Sequence, residues 1–91
     1  MIDLHMHTIY SDGDKTAYEV LKMCEERRLE YISITDHDTC WQYEDEALKN
    51  NKIFSGKIIK GAELHAVFQN RSIEILAYNI DTNIIEEWIN K

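Results

Sequence analysis

Residues 2–13 of the chain read Ile2-Asp3-Leu4-His5-Met6-His7-Thr8-Ile9-Tyr10-Ser11-Asp12-Gly13. Apolar and polar residues alternate through the first half of this stretch, which is the period of a β-strand. Asp3, His5 and His7 are spaced two residues apart, so they share one face of that strand. Two imidazoles on one strand face can bind a metal ion from the same side. Asp12 follows in a Ser-Asp-Gly turn, close enough to face the same space.

The rest of the chain alternates helix-like and strand-like segments. Thr16 and Glu19 have the spacing of a capping box, which predicts an amphipathic helix of about three turns. Trp41 and Trp88 occupy apolar positions at helical spacing and are interpreted as core residues. The expected elements are strands at 2–7, 31–35, 57–64 and 73–78, the helix after Thr16, a weaker helix at 40–50, and a last helix at 84–90. The last two strands are expected to pair as a hairpin.

This order of elements predicts an α/β fold with right-handed crossovers and mostly parallel strands. Ligands of such sheets bind at the carboxyl ends of the strands. His5 and His7 end the first expected strand, His37 follows the second, and Glu63 lies near the end of the third. We therefore expect these side chains to meet at one rim of the sheet.

The candidate side chains form a mixed nitrogen and oxygen donor set, namely His5, His7, Asp12, His37 and Glu63. Such donors suit Zn, Mn or Fe rather than Ca or a thiolate-bound metal. Five candidates exceed the three or four protein ligands of one open ion, which indicates a cluster of two or three ions. Paired ions can clamp the attacking and leaving oxygens of a phosphoryl transfer.

Several residues near these candidates have two interpretations each. Asp36 and Asp38 flank His37, and either could orient an imidazole or simply stabilise the loop. His65 could share the face of Glu63, but a role beside the ligands or on the surface is the favoured interpretation. Arg71 could contact a phosphate group, although an exposed turn residue is the simpler interpretation.

Composition bounds the function. The chain has 91 residues, enough for one domain with a modest core, and a formal net charge of -7. This charge argues against non-specific binding to nucleic acid or to anionic membrane. No apolar run approaches the roughly 18 residues of a membrane span. Two cysteines outside any Cys-x-x-Cys pair favour a reducing compartment, most simply the cytoplasm.

The motifs His5-Met6-His7-Thr8, Ser11-Asp12-Gly13, Thr35-Asp36-His37-Asp38 and Gly61-Ala62-Glu63 together resemble the PHP (polymerase and histidinol phosphatase) family. Their order and spacing match over residues 2–80. The resemblance implies a distorted seven-stranded, TIM-like β/α barrel with a metal cluster at its carboxyl rim. It also implies a metal-dependent phosphoesterase that hydrolyses a phosphate ester through metal-activated water, with a small phosphorylated substrate. The acidic charge makes nucleic acid an unlikely partner.

Carried over from the family, His5, His7 and Glu63 match the ligands of one ion, with Glu63 bridging to a second. Asp12 and His37 match ligands of a third position. Glu74 stands where the family commonly has a histidine and is included as a metal ligand. The resemblance further implies that residues 1–91 form a single domain that corresponds to the N-terminal portion of a PHP barrel, without the family's later histidine ligands.

Three functions are compatible with these patterns. The first is a phosphoesterase, and the second is a non-catalytic half-domain that binds metal or serves assembly. The third, proofreading in a DNA polymerase, is allowed by the family but gains no support from an acidic chain of this length. Open sheet edges and an apolar last helix in so small a domain also predict a homo-oligomer.

Overall fold

A computed structural model describes residues 1–90. Its elements are β1 (Ile2–Met6), α1 (Ala17–Glu26), β2 (Tyr31–Ile34), a 3-10 helix (Trp41–Glu44), α2 (Glu46–Lys49), β3 (Lys57–Ile58), β4 (Gly61–Phe68), β5 (Arg71–Tyr78) and α3 (Thr82–Ile89). The first three strands form a parallel sheet in the order β1-β2-β3, and β4 and β5 form an antiparallel hairpin. The fold is therefore α/β with mostly parallel strands in a small sheet. None of the helices in residues 1–90 is long and apolar enough to cross a bilayer.

The predicted first helix is confirmed as α1. The Thr16 side chain accepts a hydrogen bond from the Glu19 backbone, and the Glu19 side chain accepts one from the Thr16 backbone, so both halves of the capping box are present. The buried residues of this helix belong to the same core cluster as those of β2. The core comprises Ala17, Val20, Leu21, Cys24, Ile32, Ile34, Cys40, Tyr43, Leu48, Phe54, Ala62 and Leu64.

The single strand expected over 57–64 is wrong, because the chain divides there into β3 and β4 in separate sheets. The Tyr43 side chain enters the gap between β2 and β4. Its hydroxyl lies 2.6 Å from the Ile34 carbonyl oxygen and accepts a hydrogen bond of 2.7 Å from the Gly61 N–H. Hydrogen bonds to the Tyr43 hydroxyl thus take the place of direct backbone hydrogen bonds between β2 and β4 at this point. Gly61 fits this close approach because a Cβ there would lie 2.5 Å from the Ser33 hydroxyl oxygen.

The helix expected over 40–50 is also divided in two. Asp45 has an extended backbone (φ -61°, ψ 135°), which ends the 3-10 helix. Its carboxylate accepts a hydrogen bond of 2.9 Å from the Ala47 backbone N–H and so begins α2 as an N-cap. An aspartate in the middle of the apolar pattern therefore restarts the helix.

The interpretation of the two tryptophans as core residues is wrong. Trp41 is 63% exposed and Trp88 is 48% exposed. In α3, Ile85 and Ile89 pack against the core and leave Trp88 on the outer face. Ile84 is 64% exposed as well, so only the edge of the apolar stripe at Ile85 and Ile89 meets the core.

We expect the folding stability of this chain to fall above pH 9, because burial raises the pKa of the Cys40 thiol to about 11 and that of Tyr43 to about 12. Between pH 9 and 11 for Cys40, and pH 10 and 12 for Tyr43, the unfolded chain loses a proton that the folded chain keeps. Each group then contributes a loss of about 2–3 kcal/mol over its window. Urea unfolding at a series of pH values measures this loss. Cys40→Ala should remove the part that begins at pH 9, and a flat stability from pH 8 to 11 would contradict the prediction.

Candidate metal centre

The two histidines at the end of β1 point at the same carboxylate. The Nε2 atom of His5 lies 2.5 Å from Oε1 of Glu63, and the Nε2 atom of His7 lies 3.1 Å from the same oxygen. Glu63 reaches this position from β4. Asp3, which shares the strand face, does not join them, because its carboxylate accepts a hydrogen bond of 3.2 Å from the His5 backbone N–H.

Asp12 links the turn after β1 to the loop after β2. Its Oδ1 atom lies 2.7 Å from Nδ1 of His7, and its Oδ2 atom lies 3.2 Å from Nε2 of His37. The rings of His7 and His37 are correspondingly close, with centroids 4.4 Å apart. The turn therefore places its carboxylate between two imidazoles that come from different strands.

The second oxygen of Glu63 faces a different partner from the first. Its Oε2 atom lies 3.3 Å from Nδ1 of His37, and Oε2 of Glu74 lies 3.4 Å from the same nitrogen. Glu74 comes from β5, across the hairpin. The Glu63 side chain is 9% exposed and the Glu74 side chain is 51% exposed, so Glu63 forms the floor of the centre and Glu74 part of its rim.

These contacts define three overlapping groups of side chains whose ligand atoms lie within 4.8 Å of one another. The groups are His5, His7 and Glu63, then His7, Asp12 and His37, then His37, Glu63 and Glu74. Each pair of groups shares one residue, so the three form one continuous cluster. Imidazole nitrogens and carboxylate oxygens at this spacing fit divalent transition metals. All six residues expected from the sequence are thus brought together.

The histidines lower the pKa of two cluster carboxylates. Burial acts to raise the pKa of Glu63, but the His5 hydrogen bond and the nearby His37 outweigh it and hold that pKa below its usual range. Burial also acts to raise the pKa of Asp12, and His7 and His37 again lower it overall. Among residues 1–90, no Lys or Arg forms an ion pair with a carboxylate of this cluster. Both groups are therefore ionised at neutral pH and available to a cation.

Asp36, whose role the sequence left open, anchors the turn that carries Asp12. Its carboxylate is completely buried and accepts hydrogen bonds of 2.6 Å from the Thr8 N–H, the Thr8 hydroxyl and the Ser11 hydroxyl. Sequence reasoning missed Thr8 and Ser11 as functional residues. The sequence signal for them was the pair of hydroxyl residues in the turn before Asp12, together with an aspartate directly before the candidate ligand His37.

The remaining residues with two interpretations lie outside the cluster. The Asp38 carboxylate accepts a hydrogen bond of 2.8 Å from the His65 backbone N–H and so stabilises the loop after β2. The His65 side chain is exposed and belongs to none of the three groups found in residues 1–90, which agrees with its interpretation as a surface residue. Arg71 is exposed at the start of β5, beside the turn.

The fold and the cluster agree with the PHP class of domains. A PHP domain model matches residues 3–86, and the chain belongs to this family. The chain is 37% identical over 82 residues to the 5'-3' exoribonuclease Rnm of Salmonella typhimurium and 34% identical to that of Escherichia coli. Each match covers 87% of this chain and 27% of the relative, so the chain spans about a quarter of the length of these proteins.

Two solved structures share the fold. A protein assigned as a metal-dependent phosphoesterase from Bifidobacterium adolescentis is 28% identical, with a TM-score of 0.84. An amidohydrolase from Chromobacterium violaceum, crystallised with bound sulfate and without metal, is 25% identical, with a TM-score of 0.82. Each match covers 98% of this chain and 32% of the solved chain. The similarity to Rnm weighs against the expectation that nucleic acid is an unlikely partner.

We expect Glu63→Gln to lower metal content more than Asp12→Asn. The two Glu63 oxygens face two of the three groups, whereas Asp12 belongs to one group. Loss of Glu63 should lower affinity by more than the roughly 10–100-fold that loss of an outer contact costs. Metal per chain is measured by mass spectrometry after dialysis against Mn²⁺ or Zn²⁺, with affinity from calorimetry. Equal losses in the two variants would contradict the shared position of Glu63.

Proposed function

We propose that this chain acts as a metal-dependent phosphoesterase that hydrolyses a phosphate ester. The observation that carries the proposal is the continuous cluster of three imidazoles and three carboxylates. Two or three divalent ions, of Zn, Mn or Fe given these donors, would supply acidic water and neutralise charge on the phosphoryl group. The residues proposed as ligands are His5, His7, Asp12, His37, Glu63 and Glu74.

The exposure of the cluster residues supports approach of a substrate from one side. Glu63 is nearly buried at the floor, whereas the side chains of His5, Asp12 and Glu74 are 52%, 63% and 51% exposed. A phosphate group would therefore meet the rim formed by these three residues. The floor carboxylate holds the His5 and His7 rings in place by hydrogen bonds and lies out of reach of bulk water.

The charge of the cluster implies that metal loading precedes substrate binding. The three carboxylates form no ion pair with Lys or Arg in the described part of the chain, and the full chain carries a net charge of -7. Such a surface repels an anionic substrate. Affinity for phosphate should therefore depend on the bound cations rather than on basic side chains.

Two substrate classes follow from the comparisons. The B. adolescentis protein supports a phosphate ester, and the C. violaceum protein binds sulfate, a tetrahedral oxyanion comparable to phosphate. The second candidate is hydrolysis of RNA, favoured by 37% identity to an exoribonuclease. Both classes require the same cleavage of a phosphorus–oxygen bond.

The two free cysteines in the core suit a reducing compartment, and we place the chain in the cytoplasm.

We expect the chain to hydrolyse p-nitrophenyl phosphate, or a short 5'-phosphorylated RNA, only when Mn²⁺ or Zn²⁺ is present. Chelation with EDTA should abolish turnover. The double variant His5→Ala/His7→Ala should reduce turnover by at least about a hundredfold, since loss of even an outer contact of a metal ligand costs roughly 10–100-fold. Release of p-nitrophenol and of nucleotides measures the two substrate classes separately. Metal binding without turnover of either substrate would contradict catalysis and support a non-catalytic metal-binding half-domain.

We also propose a homo-oligomer, most simply a two-fold dimer. Both faces of the hairpin and the exposed side of α3 carry an unusual number of exposed apolar side chains for a small domain. These are Val67, Phe68, Ile73, Ile75, Leu76, Ile84 and Trp88. In the two-stranded hairpin, β5 pairs only with β4 among the described strands, which leaves an edge that can pair with a second copy.

We expect the chain to sediment at about twice its monomer mass at micromolar concentration. Ile75→Lys should shift it to the monomer, because Ile75 is 46% exposed on the apolar face of β5. Tyr18→Lys is the matched control, since Tyr18 is 51% exposed on α1 and lies outside that face. A wild-type monomer that melts cooperatively would contradict the proposal.

A further inference from the structure

The pairing of β1 with β2 is irregular immediately before the metal centre. Asp3 pairs with Ile32 and Met6 with Ile34, so two residues of β1 lie opposite one residue of β2. The two residues of β1 are Leu4 and His5. This arrangement is a β-bulge, a feature that redirects the neighbouring side chain and recurs beside active sites. The direction of the His5 imidazole therefore depends on how the bulge is held.

The peptide that joins Leu4 to His5 is held at both of its polar groups by side chains. The Tyr78 hydroxyl donates a hydrogen bond of 2.7 Å to the Leu4 carbonyl oxygen. The Asp3 carboxylate accepts one of 3.2 Å from the His5 N–H. A peptide group is planar, so fixing its C=O and its N–H sets the dihedral angles on both sides. One of these angles is the φ of His5, which directs its side chain.

Tyr78 makes this contact from a distant part of the sequence. It lies on β5, 74 residues from Leu4, and on the same strand face as Glu74, because side chains two apart share a face. That face also carries Leu76, which pairs with Glu63 across the hairpin. The Tyr78 hydroxyl thus joins the strand that carries His5 to the hairpin that carries Glu63 and Glu74.

We propose that Tyr78, together with Asp3, is a positioning residue that sets the His5 imidazole against Glu63. Neither side chain belongs to the three candidate ligand groups. Tyr78 acts through the Leu4–His5 peptide and leaves the other two groups unchanged. The inference rests on the proposed metal centre, in which His5 is a ligand.

The experiment uses Co²⁺ as the probe, with its visible absorption and a titration of the full 91-residue chain as readouts. Tyr78→Phe keeps the ring and removes the hydroxyl. It should weaken Co²⁺ binding by about tenfold, the scale for loss of an outer contact, and change the absorption spectrum. Asp3→Ala should act in the same direction. Tyr18→Phe is the matched control, because no hydrogen bond of the Tyr18 hydroxyl occurs within residues 1–90, and it should bind as the wild type does.

A double-mutant cycle separates positioning from general stabilisation. In a His5→Ala background, Tyr78→Phe should cause no further loss of Co²⁺ affinity, because its effect passes through His5. Urea unfolding at several Co²⁺ concentrations gives the affinity of the folded chain even when the variant is destabilised. A Tyr78→Phe chain with a lower stability but with the Co²⁺ affinity and spectrum of the wild type would overturn the proposal. A Tyr78→Phe chain that stays unfolded even in millimolar Co²⁺ would also overturn it, because Tyr78 would then be needed for folding as a whole. A wild-type chain that binds no Co²⁺ would instead overturn the metal centre itself.

Discussion

The buried carboxylate of Asp36 is the constraint on which the geometry of the candidate metal centre depends. A buried carboxylate is costly unless hydrogen bonds satisfy it, and here two hydroxyls and one backbone N–H do so at 2.6 Å. All three donors belong to the turn after β1. The backbone carbonyl of the same residue accepts a hydrogen bond of 3.1 Å from the Glu63 N–H. Asp36 therefore joins its own loop, which carries His37, to the turn that carries Asp12 and to β4, which carries Glu63, and these bonds hold the cluster residues near one another.

A cluster that gathers three carboxylates at one rim opposes folding unless positive charge accompanies it. The imidazoles supply that charge only when they are protonated, and no Lys or Arg pairs with these carboxylates in residues 1–90. The strained backbone of Asp38, with φ of 50°, lies in the same loop. Unfavourable charges and backbone angles of this kind are typical of functional sites, where a bound ligand can offset their cost. Under the proposed function, a bound cation stabilises the folded chain and the active geometry together.

The sequence predicted the parts that depend on local pattern. The alternation of residues 2–7 and the capping box at Thr16 predicted β1 and α1. The order of strands and helices placed His5, His7, His37 and Glu63 at one rim. The turn added Asp12 and the family resemblance added Glu74, and the structure brings all six together. The parts that failed depend on contacts between distant residues. No periodicity shows that the Tyr43 hydroxyl would lie between β2 and β4 and bind the backbone of both strands. Likewise, apolar spacing places Trp88 on a helix but does not tell which face the core covers.

The hairpin register determines the character of the third ligand group. His65 pairs with Glu74 and Glu63 with Leu76, so both glutamates lie on one face of β4 and β5. A slip of one residue would turn Glu74 to the opposite face. The two carboxylates approach the same nitrogen of His37 at 3.3 and 3.4 Å, whereas the other groups each contain two imidazoles and one carboxylate. Carboxylate-rich sites suit Mn, and imidazole-rich sites suit Zn or Fe. The glutamate at position 74 thus makes the donor sets unequal, because the group at the hairpin has two carboxylates and one imidazole.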